Sequence, residues 1–495
     1  MPSSRVSSPS VPPPPPEDHT PLLQADTDDA PRKADQREGA ATVQSCIANL
    51  ANTIIGTGSL AMAHAFSGEG LIPGIIMVLV CGSAAAMGLY LLTRSAAMAP
   101  HRAASFSSLS TLTYPGLARL FDFAVALKCF GVSISYLIVI GGLMPKVVHS
   151  FNPDLTNTVL LDRRLWILLS MTLLCPLAFL RRLDSLKMTS YIALCAIGYL
   201  VFIVLYFTFV DHDDLPPSGQ FQYFRFGPSF VQSLPVQIFA FTCAQNIFAV
   251  FNELRSNTQA RLNLVIGTSI GSAAVIYELL GILGYMTFGA AVSGNLIEMY
   301  PRTTLVSIGQ VGIVILVLFS YPLQLHPARA SLDKFLFPHR SASGDALNDN
   351  GDHDDHASGD DIPLARFVLE SAFLLFATFV IAMFVSSLEV VLGFVGATGS
   401  TTISFILPSV FFLSLFKDSP NPRDRRLRYI AMLLLAWGVV VMVVSLSLNI
   451  YHLVQQPEQG SLHVLGYLGG KSAPHPLDAA AAATDATLLQ DAVRP

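Results

Sequence analysis

Apolar residues dominate this chain in blocks rather than in stripes. Runs long enough to cross ~30 Å of hydrocarbon recur near residues 43–65, 70–93, 121–146, 164–180, 188–210, 228–250, 264–288, 303–325, 365–385, 389–416 and 429–453. Most are near-continuous Leu, Ile, Val and Phe with no polar face, the pattern of helices enclosed by lipid or protein. The pattern predicts an all-α polytopic membrane protein with eleven transmembrane helices. Pro322 and Pro327 are expected to interrupt the eighth span near its C-terminal end.

Polar segments flank these runs. Residues 1–41 contain Val11 followed by Pro12 to Pro16, many Ser and Asp, and almost nothing to bury. They read as a disordered tail, without the apolar core of a secretory signal. Within it Asp18, Leu22 and Leu23 fit an acidic dileucine pattern. A sorting adaptor reads such a pattern, although one so short also arises by chance. Residues 341–361 hold seven Asp and no Lys or Arg. A solvated acidic loop is the main reading, and a weak metal site at His353 and His356 the minor one. Residues 454–495 form a polar, Ala-rich tail. The expected organisation is a cytoplasmic tail over 1–41, a membrane domain over 42–453 and a final tail over 454–495.

Positive charge orients the spans. With residues 1–41 in the cytoplasm, the loops on that side carry 21 Lys and Arg against 7 on the other. Cytoplasmic loops hold such an excess, so the N-terminus is expected in the cytoplasm. The far end then faces the lumen or exterior.

Composition narrows the function. Only 13% of residues are charged and mean hydropathy is +0.53, against roughly 25% charged in soluble domains. A net charge of −5 leaves no basic face for nucleic acid. The tail carries −3 and the acidic loop −7, so the remainder of the chain is +5. Six cysteines lie in or beside apolar segments, without zinc-like spacing. No GxSxG, HExxH or GxxxxGK[ST] motif is present. An enzyme is not expected, nor any cofactor beyond a coupling ion.

Two spans break the apolar pattern. The first reads Asn49-Leu50-Ala51-Asn52-Thr53-Ile54-Ile55-Gly56-Thr57-Gly58-Ser59. The sixth reads Phe239-Ala240-Phe241-Thr242-Cys243-Ala244-Gln245-Asn246. Gly weakens a helix by ~1 kcal/mol per residue relative to Ala. Irregular backbone at membrane depth survives only where protein buries it or where it lines a cavity. Freed N–H groups there hold an anion, and freed carbonyls a cation. Close helix packing through small residues is the alternative for either span alone. The two interrupted spans each open a set of five, however. Five crossings invert the second set, which predicts an inverted five-plus-five repeat with broken helices one and six. Broken segments in matching positions of two halves point to a transport site. Its candidate substrate residues are Thr53, Ile55, Gly56, Thr57, Gly58, Phe241, Thr242, Gln245 and Asn246.

Three further positions are weaker candidates. Ser320 offers a hydroxyl for an ion, or a bond to its own backbone. Glu278, within Ile276-Tyr277-Glu278-Leu279, is an intramembrane carboxyl and a candidate proton carrier. Alternatively it is interfacial, or paired with Lys128, which itself has the option of snorkelling to the interface. Gly267 and Gly271 form a GxxxG packing pattern.

These motifs resemble the amino acid/auxin permease family of secondary transporters. Asn49 to Gly58 is similar to its first-span signature, and Leu234 to Leu254 to its sixth. Leu127 to Gly131, Arg181 to Leu186 and His326 to Arg329 resemble its fungal vacuolar exporter branch. The similarity covers about residues 41–453. It implies an inverted repeat with an eleventh helix, amino acid transport coupled to H+ or Na+, and ion-binding roles for Asn52 and Ser320. Two positions depart from the pattern. Ala244 stands where the family has His, and Gly142 where it has Asp. The resulting expectation is an H+-coupled carrier of amino acids, neutral ones above all, exporting from vacuole or lysosome to cytoplasm. A Na+-coupled plasma-membrane carrier, a sensor without net flux and a channel are the alternatives.

Overall fold

Capping side chains and glycines mark where the helices of this protein begin and end. In the computed structural model, described for residues 39–99, 104–155, 158–179, 189–210, 215–216, 218–337 and 363–455, Thr42 opens α1 (Val43–Ile54) by accepting the Ser45 N–H at 3.2 Å. Two short helices follow, α2 (Thr57–Leu60) and α3 (Met62–Glu69). Gly70, at φ +85°, turns the chain into α4 (Leu71–Ala96). Then come α5 (Phe106–Thr113), α6 (Ala118–Phe151), α7 (Arg163–Ala178) and α8 (Thr189–Phe209). The second half begins with α9 (Pro228–Ala240), α10 (Ala244–Glu253) and α11 (Gln259–Phe288). It continues with α12 (Thr304–Leu336), α13 (Leu364–Phe384), α14 (Leu388–Val395), α15 (Leu407–Leu415) and α16 (Pro422–Gln455).

Helix therefore covers each predicted span. Among the described residues, eight helical stretches are individually long and apolar enough to cross a membrane, and several are bent. No sheet forms among the described residues; one bridge joins Ala41 to Leu254. Large apolar side chains face outward, among them Leu433 at 71% exposure and Phe376 at 68%. A water-soluble protein does not present so many, so these faces suit lipid.

The eighth span departs from expectation. α12 passes through both Pro322 and Pro327 and ends only at Leu336. Packing holds it helical. The Tyr321 hydroxyl lies 2.6 Å from the Thr378 hydroxyl on α13. Arg329, 1% exposed, donates to the Ala178 carbonyl and the Ser371 hydroxyl, and stacks 3.9 Å over Phe367. Neighbouring helices compensate for the proline.

A further irregularity lies in the tenth span, at Gly396-Ala397-Thr398-Gly399-Ser400, a glycine and hydroxyl run like that of span one but not among the expected breaks. Between α14 and α15 the backbone widens into two π-helical stretches, Gly396–Ser400 and Thr402–Ile406. The Thr401 hydroxyl donates back to the Gly396 carbonyl at 2.6 Å. π-bulges of this kind gather at functional sites.

Both tails beyond the described helices, the 341–361 loop, the Asp18, Leu22 and Leu23 pattern, and Arg181 to Leu186 lie outside the described residues.

Candidate functional site where two broken helices meet

Span one loses its helix at Ile55 and Gly56. The Gly56 N–H turns back to the Ile54 carbonyl at 3.0 Å, and Gly56 is extended at φ −133°, ψ −142°. Ser59 then closes a new turn, donating from N–H and hydroxyl to the Gly56 carbonyl at 3.0 and 2.7 Å. The two glycines differ in purpose. A Cβ on Gly58 would stand 2.7 Å from the Cα and Cβ of Ala240, whereas one on Gly56 would meet nothing within 4 Å. Gly58 is the point where span one touches span six.

Span six breaks without any glycine. α9 stops at Ala240 and α10 begins at Ala244, with Phe241 at ψ 2° and Cys243 at φ −137°, ψ 11°. The Thr242 N–H returns to the Phe239 carbonyl at 3.0 Å, and its hydroxyl to Ile238 at 2.7 Å. The Ala240 and Ile54 carbonyls face one group. The Tyr277 hydroxyl on α11 lies 2.9 Å from the first and 2.6 Å from the second. A phenol carries one proton, so the two carbonyls share it. Tyr277 is fully buried, with its ring edge-on to Phe241 at 5.0 Å. A tyrosine within an apolar run gives no sequence signal for such a clasp.

A cavity of about 20 Å³ lies between the breaks, lined by Thr53, Gly56, Thr57, Gly58, Lys128, Tyr136, Thr242 and Gln324 among others. That is room for about one water, so the molecule is closed around this point. Five of the nine predicted substrate residues therefore line it: Thr53, Gly56, Thr57, Gly58 and Thr242. Ile55 and Phe241 are instead core side chains at 2% and 1% exposure. Asn246 sits one step back, donating to the Thr53 hydroxyl at 2.6 Å. Both amide atoms of Gln245 are buried without a partner.

The cavity's charge comes from Lys128, 3% exposed on α6. It contacts the Gln324 side chain at 3.5 Å and does not pair with Glu278. Nor does it snorkel. Gly399, in the π-helical stretch, packs on its backbone, where a Cβ would lie 2.8 Å from the Lys128 nitrogen. Span ten reaches the same point through Ser404, whose hydroxyl is 3.4 Å from that of Thr242. Thr57 meets the Ser135 hydroxyl of α6 at 3.2 Å. Spans one, three, six, seven, eight and ten thus converge.

The ion candidates are dispersed. Asn52 is half-buried on α1, beside Thr53. Ser320 lies one turn before Gln324 on α12; Gln324 lines the cavity and Ser320 does not. Both Glu278 oxygens are buried without a partner. The Gly142 departure has a structural counterpart. A Cβ there would press on the Glu298 carboxylate, which also bonds Lys146 at 2.9 Å. Glu298 supplies an acidic group at that place. Ala244, at 1% exposure, starts α10 within the core.

Residues 39–451 match the family described as transmembrane amino acid transporter protein. The chain belongs to this family. It is 42% identical over 426 residues to vacuolar amino acid transporter 5 of Schizosaccharomyces pombe, covering 84% of this chain and 96% of that one. It is 34% identical over 444 residues to vacuolar amino acid transporter 6 of Saccharomyces cerevisiae, covering 82% and 98%. A more distant relative is the human sodium-coupled neutral amino acid transporter 4, at 24% identity over 488 residues, 84% of this chain and 85% of that one. The protein is a multi-pass membrane protein of a transporter family, not an enzyme.

Proposed function

We propose that this transporter carries amino acids, neutral ones above all, through the junction of broken spans one and six. The observation behind the site is the Lys128 ammonium, buried beside Gly56, Thr57 and Gly58 with, among the described residues, only an amide oxygen for partner. A buried cation without a counter-ion is costly, and a substrate α-carboxylate supplies the missing charge. The N–H groups that open α2 add donors for it. The α-amine is assigned to carbonyls near Phe241 and Thr242. Burial of Phe239 and Phe241 gives the surroundings an apolar character suited to a neutral side chain.

The arrangement we propose is eleven spans in an inverted five-plus-five repeat, with membrane domain 42–453 and a cytoplasmic N-terminus. The excess of Lys and Arg in alternate loops favours that sidedness. Rocking of one bundle against the other would open the closed cavity to each side in turn. Kinship with proteins named vacuolar amino acid transporters favours a vacuolar or lysosomal membrane and export to the cytoplasm. Coupling is assigned to H+. Asn52, Ser320 and Glu278 remain its first candidates, and Asp18, Leu22 and Leu23 a candidate adaptor signal. The human relative named as sodium-coupled supplies the second reading, Na+ coupling. Replacing Na+ by choline in proteoliposomes separates the two: unchanged flux is expected, and lost flux would establish Na+ coupling.

A further inference from the structure

α3 ends at Glu69, whose side chain is 0% exposed. Its Oε2 accepts the Gln237 amide N–H at 2.9 Å, across the seam between α3 and α9. Its Oε1 has no donor, and neither has the Gln237 Oε1; both atoms are buried. The seam is tight, since the Ser229 hydroxyl donates to the Gly68 carbonyl at 3.0 Å.

Among the described residues no cation compensates this carboxyl. Arg225, from the segment before α9, donates its guanidinium to the Ser67 carbonyl at 2.8 Å and its N–H to the Glu69 carbonyl at 2.9 Å. His64 on α3 is engaged with the Val292 carbonyl at 3.0 Å. Tyr285 on α11 is engaged with the backbone of Gln222 at 3.0 Å. Also on α11, Tyr277 clasps the breaks and the Glu278 carboxyl is itself without a partner. Cys81 on α4 is the remaining titratable neighbour. An ionised Glu69 would be a buried charge without a counter-ion, facing an amide oxygen without a donor.

One proton removes both defects. A carboxylic acid and a primary amide bond reciprocally, amide N–H to one carboxyl oxygen and acid O–H to the amide oxygen. We infer that Glu69 and Gln237 form a proton-binding site that joins the two broken spans and is occupied in this closed conformation. Gln237 lies three residues before the break at Ala240, about 4.5 Å along the helix. Parting of α3 from α9 admits water, and the proton passes from the carboxyl to it. The carboxylate left behind fits poorly against the amide oxygen, so the seam closes again once a proton returns from water. Only the O–H bond is broken and remade. This gating step rests on the H+-coupled reading above; the occupied site does not.

Infrared spectroscopy of the full-length protein in lipid at neutral pH tests occupancy without any substrate. The carbonyl band of a protonated carboxylic acid is expected in the wild type and should be diminished in Glu69→Gln. An identical band in both overturns the site. If Glu69→Gln does not fold, Gln237→Leu serves: loss of the amide partner should shift the band, and an unshifted band overturns the pairing. Transport tests the gate, using proteoliposomes and a radiolabelled mixture of the twenty amino acids. Glu69→Gln should keep counterflow and lose uptake driven by a pH gradient. Gradient-driven uptake equal to wild type overturns the gate. A wild type that ignores the gradient refutes H+ coupling and the gate with it, while the infrared result stands.

Discussion

The two breaks at the centre of this transporter reach the same end by different chemistry. Span one breaks at glycines, and one of them, Gly58, is required by the backbone of span six at Ala240. Span six breaks among Phe241, Thr242 and Cys243, with no glycine. Its interruption is held by its surroundings: Thr242 bonding back along α9, Ser404 of span ten, and the Tyr277 hydroxyl shared with span one. A glycine break is written locally, while this second one depends on tertiary partners. The lesson is that polar residues in an apolar run mark a break as well as glycines do, but do not show what stabilises it.

Substitutions sharpen that contrast. Among substitutions that remove a polar group, the largest effect is expected from Lys128→Met, which removes the cation between the breaks. Losing a hydrogen bond to a charged group costs about 1.5–3 kcal/mol, or about ten- to a hundredfold in substrate affinity. Titration of counterflow against substrate concentration reads it, and an unchanged half-saturation would remove the carboxylate from this site. Tyr277→Phe comes next. It leaves the buried Ala240 carbonyl without its donor and the Ile54 carbonyl with only the Gly56 N–H, at about 1–3 kcal/mol, and should lower both thermal stability in detergent and transport. Wild-type behaviour in both would mean that the breaks need no clasp. Ser404→Ala should do least. Its bond to Thr242 is long at 3.4 Å, so an affinity change below about fivefold, under ~1 kcal/mol, is expected. A larger loss would make span ten a direct substrate contact.

Much of the fold was legible because lipid imposes it. Apolar runs of spanning length must become helices, and helix stands at each of them. Thr53, Gly56, Thr57, Gly58 and Thr242 were legible as cavity residues because small and polar groups are conspicuous among Leu and Val. Lys128 was visible as an intramembrane charge, yet its partner was not, since Gln324 is remote in sequence and Glu278 was the obvious acid. The π-helical stretch was legible in Gly396, Thr398, Gly399 and Ser400 and was passed over. Tyr277 and the Glu69–Gln237 pair were missed because each acquires meaning only from atoms that tertiary packing brings to it. The persistence of α12 through Pro322 and Pro327 is the same lesson reversed: a local breaker is overruled by the contacts of Tyr321 and Arg329.

Transport through this protein depends on the meeting of the two breaks. Counterflow of the radiolabelled amino acids through purified wild type, Gly267→Ala and Gly58→Leu, compared at equal folded amounts, tests it most directly. Wild type and Gly267→Ala should exchange alike, since Gly267 lies on α11 outside the cavity and a Cβ there meets nothing within 4 Å. Gly58→Leu should exchange nothing, because its side chain is driven into Ala240. Exchange by Gly58→Leu at the wild-type rate would contradict a substrate site at the junction of spans one and six.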